Sequence, residues 1–199
     1  AVEHARDITL VDFDTEVRLA RFSPDDFPRL IERIRSRKAD GWTALYDAIQ
    51  TYVNGVAMED GQKVLVVYSD GGDTRSRVTM RQVVELLKMI DVTVYAIGFV
   101  SNQPQSVRMD QRMKLEQLAD ATGGEAYFPG SKDELTKMYD QILEELNGRY
   151  TLGYVSSNTA RRAGWRKVEI RVTNPAFKNV KLRSRDGYYA PGAGIRFTG

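Results

Sequence analysis

Two short stretches of this 199-residue chain gather oxygen donors where an α/β fold can use them. Gly41-Trp42-Thr43-Ala44-Leu45-Tyr46-Asp47-Ala48 offers the Thr43 hydroxyl at a helix start. Tyr68-Ser69-Asp70-Gly71 offers the Asp70 carboxylate at the end of an apolar strand. In open α/β sheets, ligands bind outside the carboxyl ends of the strands. A hydroxyl and a carboxylate brought together there suit a hard divalent cation such as Mg²⁺. Each residue also has a plainer reading. Thr43 fits an N-cap, and Asp70 before glycine fits a turn. Asp73 reads as an outer-shell acid or as a turn residue. Trp42 reads as a ligand-contacting aromatic at the rim or as a side chain packed on the following helix. Ser69 and Gly71 complete the candidate rim.

The elements that must position these residues follow from hydrophobic period and punctuation. Ile8–Phe13 and the alternating Val17–Phe22 predict a hairpin closed by Asp14-Thr15-Glu16. Ser23-Pro24-Asp25-Asp26 opens a helix with Phe27, Leu30, Ile31 and Ile34 on one face. Leu45, Ala48, Ile49, Tyr52, Val53 and Val56 line the next helix. Val64–Tyr68 is a continuous apolar run, which predicts a parallel-sheet strand covered on both faces. Thr79 and Gln82 form a capping box, ahead of a stripe of Met80, Val83, Val84, Leu87 and Ile90. Val92–Phe99 is another buried strand. Ser101–Met109 is polar and reads as a loop, with a helix around Lys114–Ala121 ending at Gly123-Gly124. Glu125–Phe128 is a short strand. Ser131 and Glu134 make a second capping box, before a stripe of Leu135, Met138, Ile142 and Leu146. Alternating strands and helices imply a parallel sheet with helices on both faces. After Gly148 the pattern changes: Tyr150–Val155, Lys167–Val172 and Val180–Arg183 predict a small antiparallel β extension closed by Arg185–Pro191. Tyr150, Tyr154, Tyr188 and Tyr189 read as packing within it or as a recognition surface. The expected division is 1–148 for the α/β domain and 149–199 for the extension.

Bulk properties exclude some classes. Lys+Arg is 29 against Asp+Glu 27, so the net charge of +2 gives no electrostatic case for nucleic acid. The chain has no cysteine, which removes thiolate metal sites and disulfides. Its one histidine, His4, reads as a surface residue and argues against a histidine-rich metal centre or a histidine-based triad. No apolar run approaches the ~20 residues of a membrane helix.

The succession Gly-Trp-Thr-Ala-Leu-Tyr-Asp-Ala, apolar strand-Ser-Asp-Gly, Val-Tyr-Ala-Ile-Gly and Leu-Ala-Asp-Ala-Thr-Gly-Gly resembles a von Willebrand factor type A domain over about residues 8 to 147. The tail Arg149-Tyr150-Thr151-Leu152-Gly153-Tyr154 with Arg185–Pro191 is similar to a variant found in large families in Acidobacteria, usually in exported proteins. The resemblance implies a three-layer, Rossmann-like fold with a mostly parallel sheet and a non-catalytic role in protein–protein or adhesive binding. It also implies a metal-ion-dependent adhesion site, with Thr43 and Asp70 as ligands of Mg²⁺ or Mn²⁺ and an acidic side chain of a protein partner completing the coordination. The family's first metal loop, Asp-x-Ser-x-Ser, and its first strand and helix do not occur in these residues. The resemblance therefore implies weak or no metal binding by this chain alone. It also implies an open strand position between Ile8–Phe13 and Val64–Tyr68, to be filled by another fragment, by a swapped segment of a second copy or by rearrangement. An extracytoplasmic location, periplasmic or secreted, follows from the same likeness. A rival reading starts from Val11-Asp12-Phe13-Asp14-Thr15, which matches the Asp-x-Asp-x-Thr motif of haloacid dehalogenase-like phosphatases, with Asp12 as nucleophile and Asp14 as acid/base. The later acid pair of that family fails here, because Arg77 stands where its second aspartate belongs. A third reading is a scaffold with a vestigial metal site.

Overall fold

Strands β3 (Lys63–Ser69), β4 (Val92–Gly98) and β5 (Glu125–Tyr127) form the parallel sheet at the centre of the computed structural model, in the order β3-β4-β5. The structure describes residues 7–37, 41–101, 103–156, 163–177, 180 and 182–190. Each strand leads into a helix: α3 (Met80–Met89), α4 (Gln105–Asp120) and α5 (Lys132–Asn147). The period-2 alternation of a strand sends successive side chains to opposite faces. Leu65, Val67, Val94 and Ala96 accordingly meet α2 (Leu45–Val56), α3 and α4 in one core. Val64, Val66, Tyr95 and Ile97 meet Leu135, Met138, Ile142 and Leu146 of α5 in the other. This is the expected three-layer α/β arrangement. The side chains of α2 named from the sequence are all buried, as are Val83, Val84 and Leu87 of α3. Each such aliphatic side chain contributes roughly 1.5–3 kcal/mol on burial.

The hairpin of β1 (Ile8–Phe13) and β2 (Val17–Phe22) pairs from Ile8↔Phe22 to Phe13↔Val17. Asp14 closes it, its Oδ1 accepting from the Glu16 amide at 2.8 Å. A 3-10 turn at Pro24–Asp26 leads into α1 (Phe27–Ser36). Ser23 does not cap this segment through its side chain; its hydroxyl donates to Asp26 Oδ2 at 3.0 Å. Only Leu30 of the expected α1 stripe is buried, while Phe27 and Ile34 are exposed.

Among the described residues β1 pairs only with β2 and β3 only with β4, so the two strands flanking the expected open position are not joined to each other. Val11 and Phe13 nonetheless pack against the same core as Leu65 and Val67. The free edge corrects one expectation. β3 is only half-buried, with Tyr68 45% exposed, whereas β4, paired on both sides, is buried at every position but Thr93.

Two further expectations are corrected. The stretch Ser101–Met109 is not all loop: α4 starts at Gln105, behind Pro104 with φ −53° and ψ 150°, and Lys114 lies in mid-helix. Proline is compatible with a helix entry, and the polar first turns hide the helix from a hydrophobic-period reading. In the tail, Tyr150–Val155 and Val168–Val172 are not strands, nor are the described residues of Val180–Arg183. The pairing is instead β6 (Gly164–Lys167) with β7 (Gly187–Ala190), antiparallel. Strand pairing depends on docking as much as on alternation. Here Trp165 stacks edge-on to Tyr189 at 5.1 Å, and Arg185 Nη2 donates to the Lys88 carbonyl at the end of α3 at 2.7 Å. His4, Lys181 and Pro191 lie outside the described residues.

Candidate functional site

The loop after β3 is laced to the first turn of α2. The Thr43 carbonyl accepts from the Thr74 amide at 2.9 Å and the Arg75 amide at 3.1 Å, and the Thr43 amide donates to Thr74 Oγ1 at 3.0 Å. The first amides of a helix lack partners within it. In α2 they find them in this loop: Tyr46 N donates to Asp73 Oδ2 at 2.9 Å and Asp47 N to Ser76 Oγ at 2.9 Å. Asp73 also accepts from the Ser76 amide at 3.1 Å and the Ser76 hydroxyl at 2.6 Å. Asp47 returns the tie, its Oδ1 accepting from Arg77 N at 2.9 Å and Val78 N at 3.2 Å.

This lacing removes the N-cap reading of Thr43 and gives Asp73 a role the sequence did not suggest. Helix α2 starts after Ala44, which makes no side-chain cap, so Thr43 is not its N-cap. Among the described residues the Thr43 hydroxyl has no hydrogen-bond partner. Asp73 is the capping acid, supplied from another loop, and both its oxygens are engaged. Asp70 keeps one oxygen in a turn, Oδ1 accepting from Gly72 N at 2.9 Å, and its Oδ2 has no partner among the described residues. Ser69 Oγ accepts from Gly71 N at 3.0 Å. Gly71 has φ +82°, and a Cβ there would stand 2.6 Å from the Gln111 carbonyl, so glycine is required where the loop meets α4. Trp42 is 61% exposed, so it is not packed into the core that α2 buries. Its amide donates to Thr15 Oγ1 at 3.2 Å.

The oxygens left open, Thr43 Oγ1 and Asp70 Oδ2, are hard donors of the kind Mg²⁺ or Mn²⁺ accepts. They fit part of such a shell. Among the described residues no group of three or more His, Cys, Asp or Glu gathers around a point. A magnesium ion needs no such group, because it keeps several waters and takes one or two carboxylates.

Asp12 and Asp14 belong to an ion-pair cluster on the hairpin. Asp12 meets Arg33 at 2.8 Å, Arg37 at 3.4 Å and Arg18 at 3.7 Å. Asp14 meets Arg18 at 3.0 Å. The Glu16 amide first, and then Arg18, hold the Asp14 carboxyl below the ordinary carboxylate range. Asp47, Thr74, Ser76 and Gln111 escaped the sequence reading. Only Asp47 carried a signal, as an acid in a helix first turn.

A family model for the von Willebrand factor type A domain matches residues 4–141, a span that holds both loops. The chain belongs to the von Willebrand factor type A family. No curated protein sequence matches it. A solved structure described as an uncharacterized membrane spanning protein from Vibrio fischeri is similar at 17% identity, over 72% of this chain and 78% of that one, with a TM-score of 0.36. Type A domains mediate protein–protein interactions and commonly bind a divalent metal. Among the described residues of this type A domain, no helix is long and apolar enough to cross a membrane.

Proposed function

We propose that this type A domain is a non-catalytic binding module whose Thr43 and Asp70 help hold Mg²⁺ or Mn²⁺ for recognition of an acidic side chain on a protein partner. One observation carries the reading. Asp73 and Ser76 satisfy the α2 amides, which leaves the Thr43 hydroxyl free, while the Asp70 turn uses only Oδ1. A bound cation would supply the positive centre for a partner carboxylate; Ser69 and Gly71 shape the loop and Trp42 flanks it. The unpaired edges of β1 and β3 support a further part of the reading, a homo-oligomer in which an extended segment of one copy enters another. The resemblance to exported relatives supports an extracytoplasmic location.

Paramagnetic Mn²⁺ titrated into the ¹⁵N-labelled protein tests the metal site. The expected result is selective broadening of the amides of Thr43 and residues 70–72, abolished by Asp70→Ala. Uniform broadening, or the same pattern in Asp70→Ala, overturns the reading. Hydrolysis of a generic aryl phosphate that disappears in Asp12→Asn would overturn its non-catalytic part.

A further inference from the structure

A concavity opens one strand along the carboxyl edge of the sheet from the Asp70 loop. Its volume is about 360 Å³, within the size range of ligand pockets, and it lies between the ends of β4 and β5 and the first turns of α4. Its floor is apolar. Phe128 crosses the end of β4 so closely that a Cβ on Gly98 would stand 2.6 Å from its ring, and the buried Pro129 and Val100 continue that surface. Its wall is cationic. Arg108 and Arg112 lie one turn apart on α4, a spacing that puts both on the same helix face.

Neither guanidinium is in an ion pair or a hydrogen bond among the described residues. Arg112 lies over the Phe128 ring at 4.1 Å, which fixes its guanidinium while leaving its in-plane donors open. Two of the nearby acids are engaged elsewhere, and Glu116, one turn beyond Arg112, makes no ion pair with it. Asp110 pairs with Lys114 at 2.6 Å, and Glu134 accepts from the Gly130 amide at 2.7 Å. Two unpaired guanidinium groups above an aromatic floor match a carboxylate carried next to an apolar side chain, because the planar fork binds carboxylates in bidentate fashion. Exposed Met109 extends the apolar rim along α4.

We propose that this cleft binds an acidic–aromatic segment of a partner protein, with Arg108 and Arg112 holding its carboxylate and Phe128 and Pro129 its apolar side chain. The site needs no metal and stands independently of the Thr43–Asp70 reading.

The test titrates the peptide acetyl-Glu-Leu-Phe-Glu-amide into the ¹⁵N-labelled protein in excess EDTA. The glutamine version of the peptide and inorganic phosphate serve as competitors. The expected result is saturable shifts at Gly98, Val100 and Gly130 with the glutamate peptide and weak shifts with the glutamine one. Arg108→Gln and Arg112→Gln are each expected to weaken binding by about tenfold, as for loss of a charge-assisted hydrogen bond. Both side chains are surface-facing and outside any ion pair, and an unchanged melting curve confirms that each variant folds. Equal binding of the two peptides, binding unaltered by either substitution, or no shifts at these residues overturns the proposal. Phosphate displacing the peptide with equal strength overturns it too, by showing a plain anion site. Binding that appears only when Mg²⁺ replaces EDTA would assign the peptide to the metal site instead.

Discussion

At the scale of single residues, the Asp70 loop is held by one glycine and one aspartate. Gly71→Ala forces a side chain onto a φ of +82° and drives its Cβ toward the Gln111 carbonyl, 2.6 Å away on a helix that cannot yield cheaply. Left-handed strain and overpacking together cost roughly 2–3 kcal/mol. Gly61→Ala is the matched control: its φ is +94° but nothing lies within 4 Å of the new Cβ, so only the strain of about 1 kcal/mol applies. Urea midpoints of the two variants separate the contributions, and equal losses would show that the α4 contact is slack. Asp73→Ala removes the acceptor for Tyr46 N and both Ser76 donors, for an expected loss of about 2 kcal/mol by the same measurement. Thr43 and Asp70 stood out as candidates in the sequence because a hydroxyl and a carboxylate sat near a helix start and at a strand end. The free state of their oxygens was not legible, since it depends on the lacing by Asp73 and Ser76 from a separate loop.

At the scale of elements, legibility followed how cleanly each segment repeats. The α2 stripe, the Thr79–Gln82 box and the β1–β2 hairpin could be read directly, because period and capping chemistry are local. The entry of α4 and the tail pairing could not. Gln105–Asp110 shows no apolar stripe, and β7 is fixed by side chains about a hundred residues away on α3. That docking is expected to depend on pH. Tyr189 donates to Glu85. The Tyr189 bond first, and then Lys88, hold the Glu85 carboxyl below its ordinary range. Glu85 in turn raises the Tyr189 phenol. A lowered acid stabilises the fold above its unfolded pKa of about 4.3, and the gain is lost as pH falls through the folded value. A raised phenol stabilises below about 10, and its gain is lost as pH rises through the folded value. Docking of β6–β7 on α3 is therefore expected to be flat across the neutral range and to loosen at both ends. Trp165, stacked on Tyr189, reports it by fluorescence in a Trp42→Phe background. Tyr189→Phe is expected to remove the alkaline limb and to shrink the acid one, of which Lys88 sustains the remainder; limbs unchanged by it would assign the pH dependence to other groups.

At the scale of the whole molecule, the central sheet and the β1–β2 hairpin are expected to carry unequal stability. β4 is paired on both sides and buried almost throughout, and its Val94 amide donates to the buried Thr122 hydroxyl at 2.8 Å. The hairpin has one pairing and half-buried residues, and it is flanked by α1, which buries only Leu30. A strand with one free edge and few buried side chains opens without the rest of the protein. Amide hydrogen exchange is therefore expected to protect β4 most, β3 less on its unpaired side, and β1–β2 least. Leu115→Ala sharpens the test. Leu115 is fully buried in the core that α4 shares with β4, and its truncation costs about 2–5 kcal/mol. If the hairpin opens as its own unit, the variant lowers β4 protection by that amount and leaves β1–β2 exchange unchanged. An equal fall in both would mean that Val11 and Phe13, which touch the same core, bind the hairpin into one cooperative unit. In that case the open edge between β1 and β3 would not make the hairpin a separate folding unit.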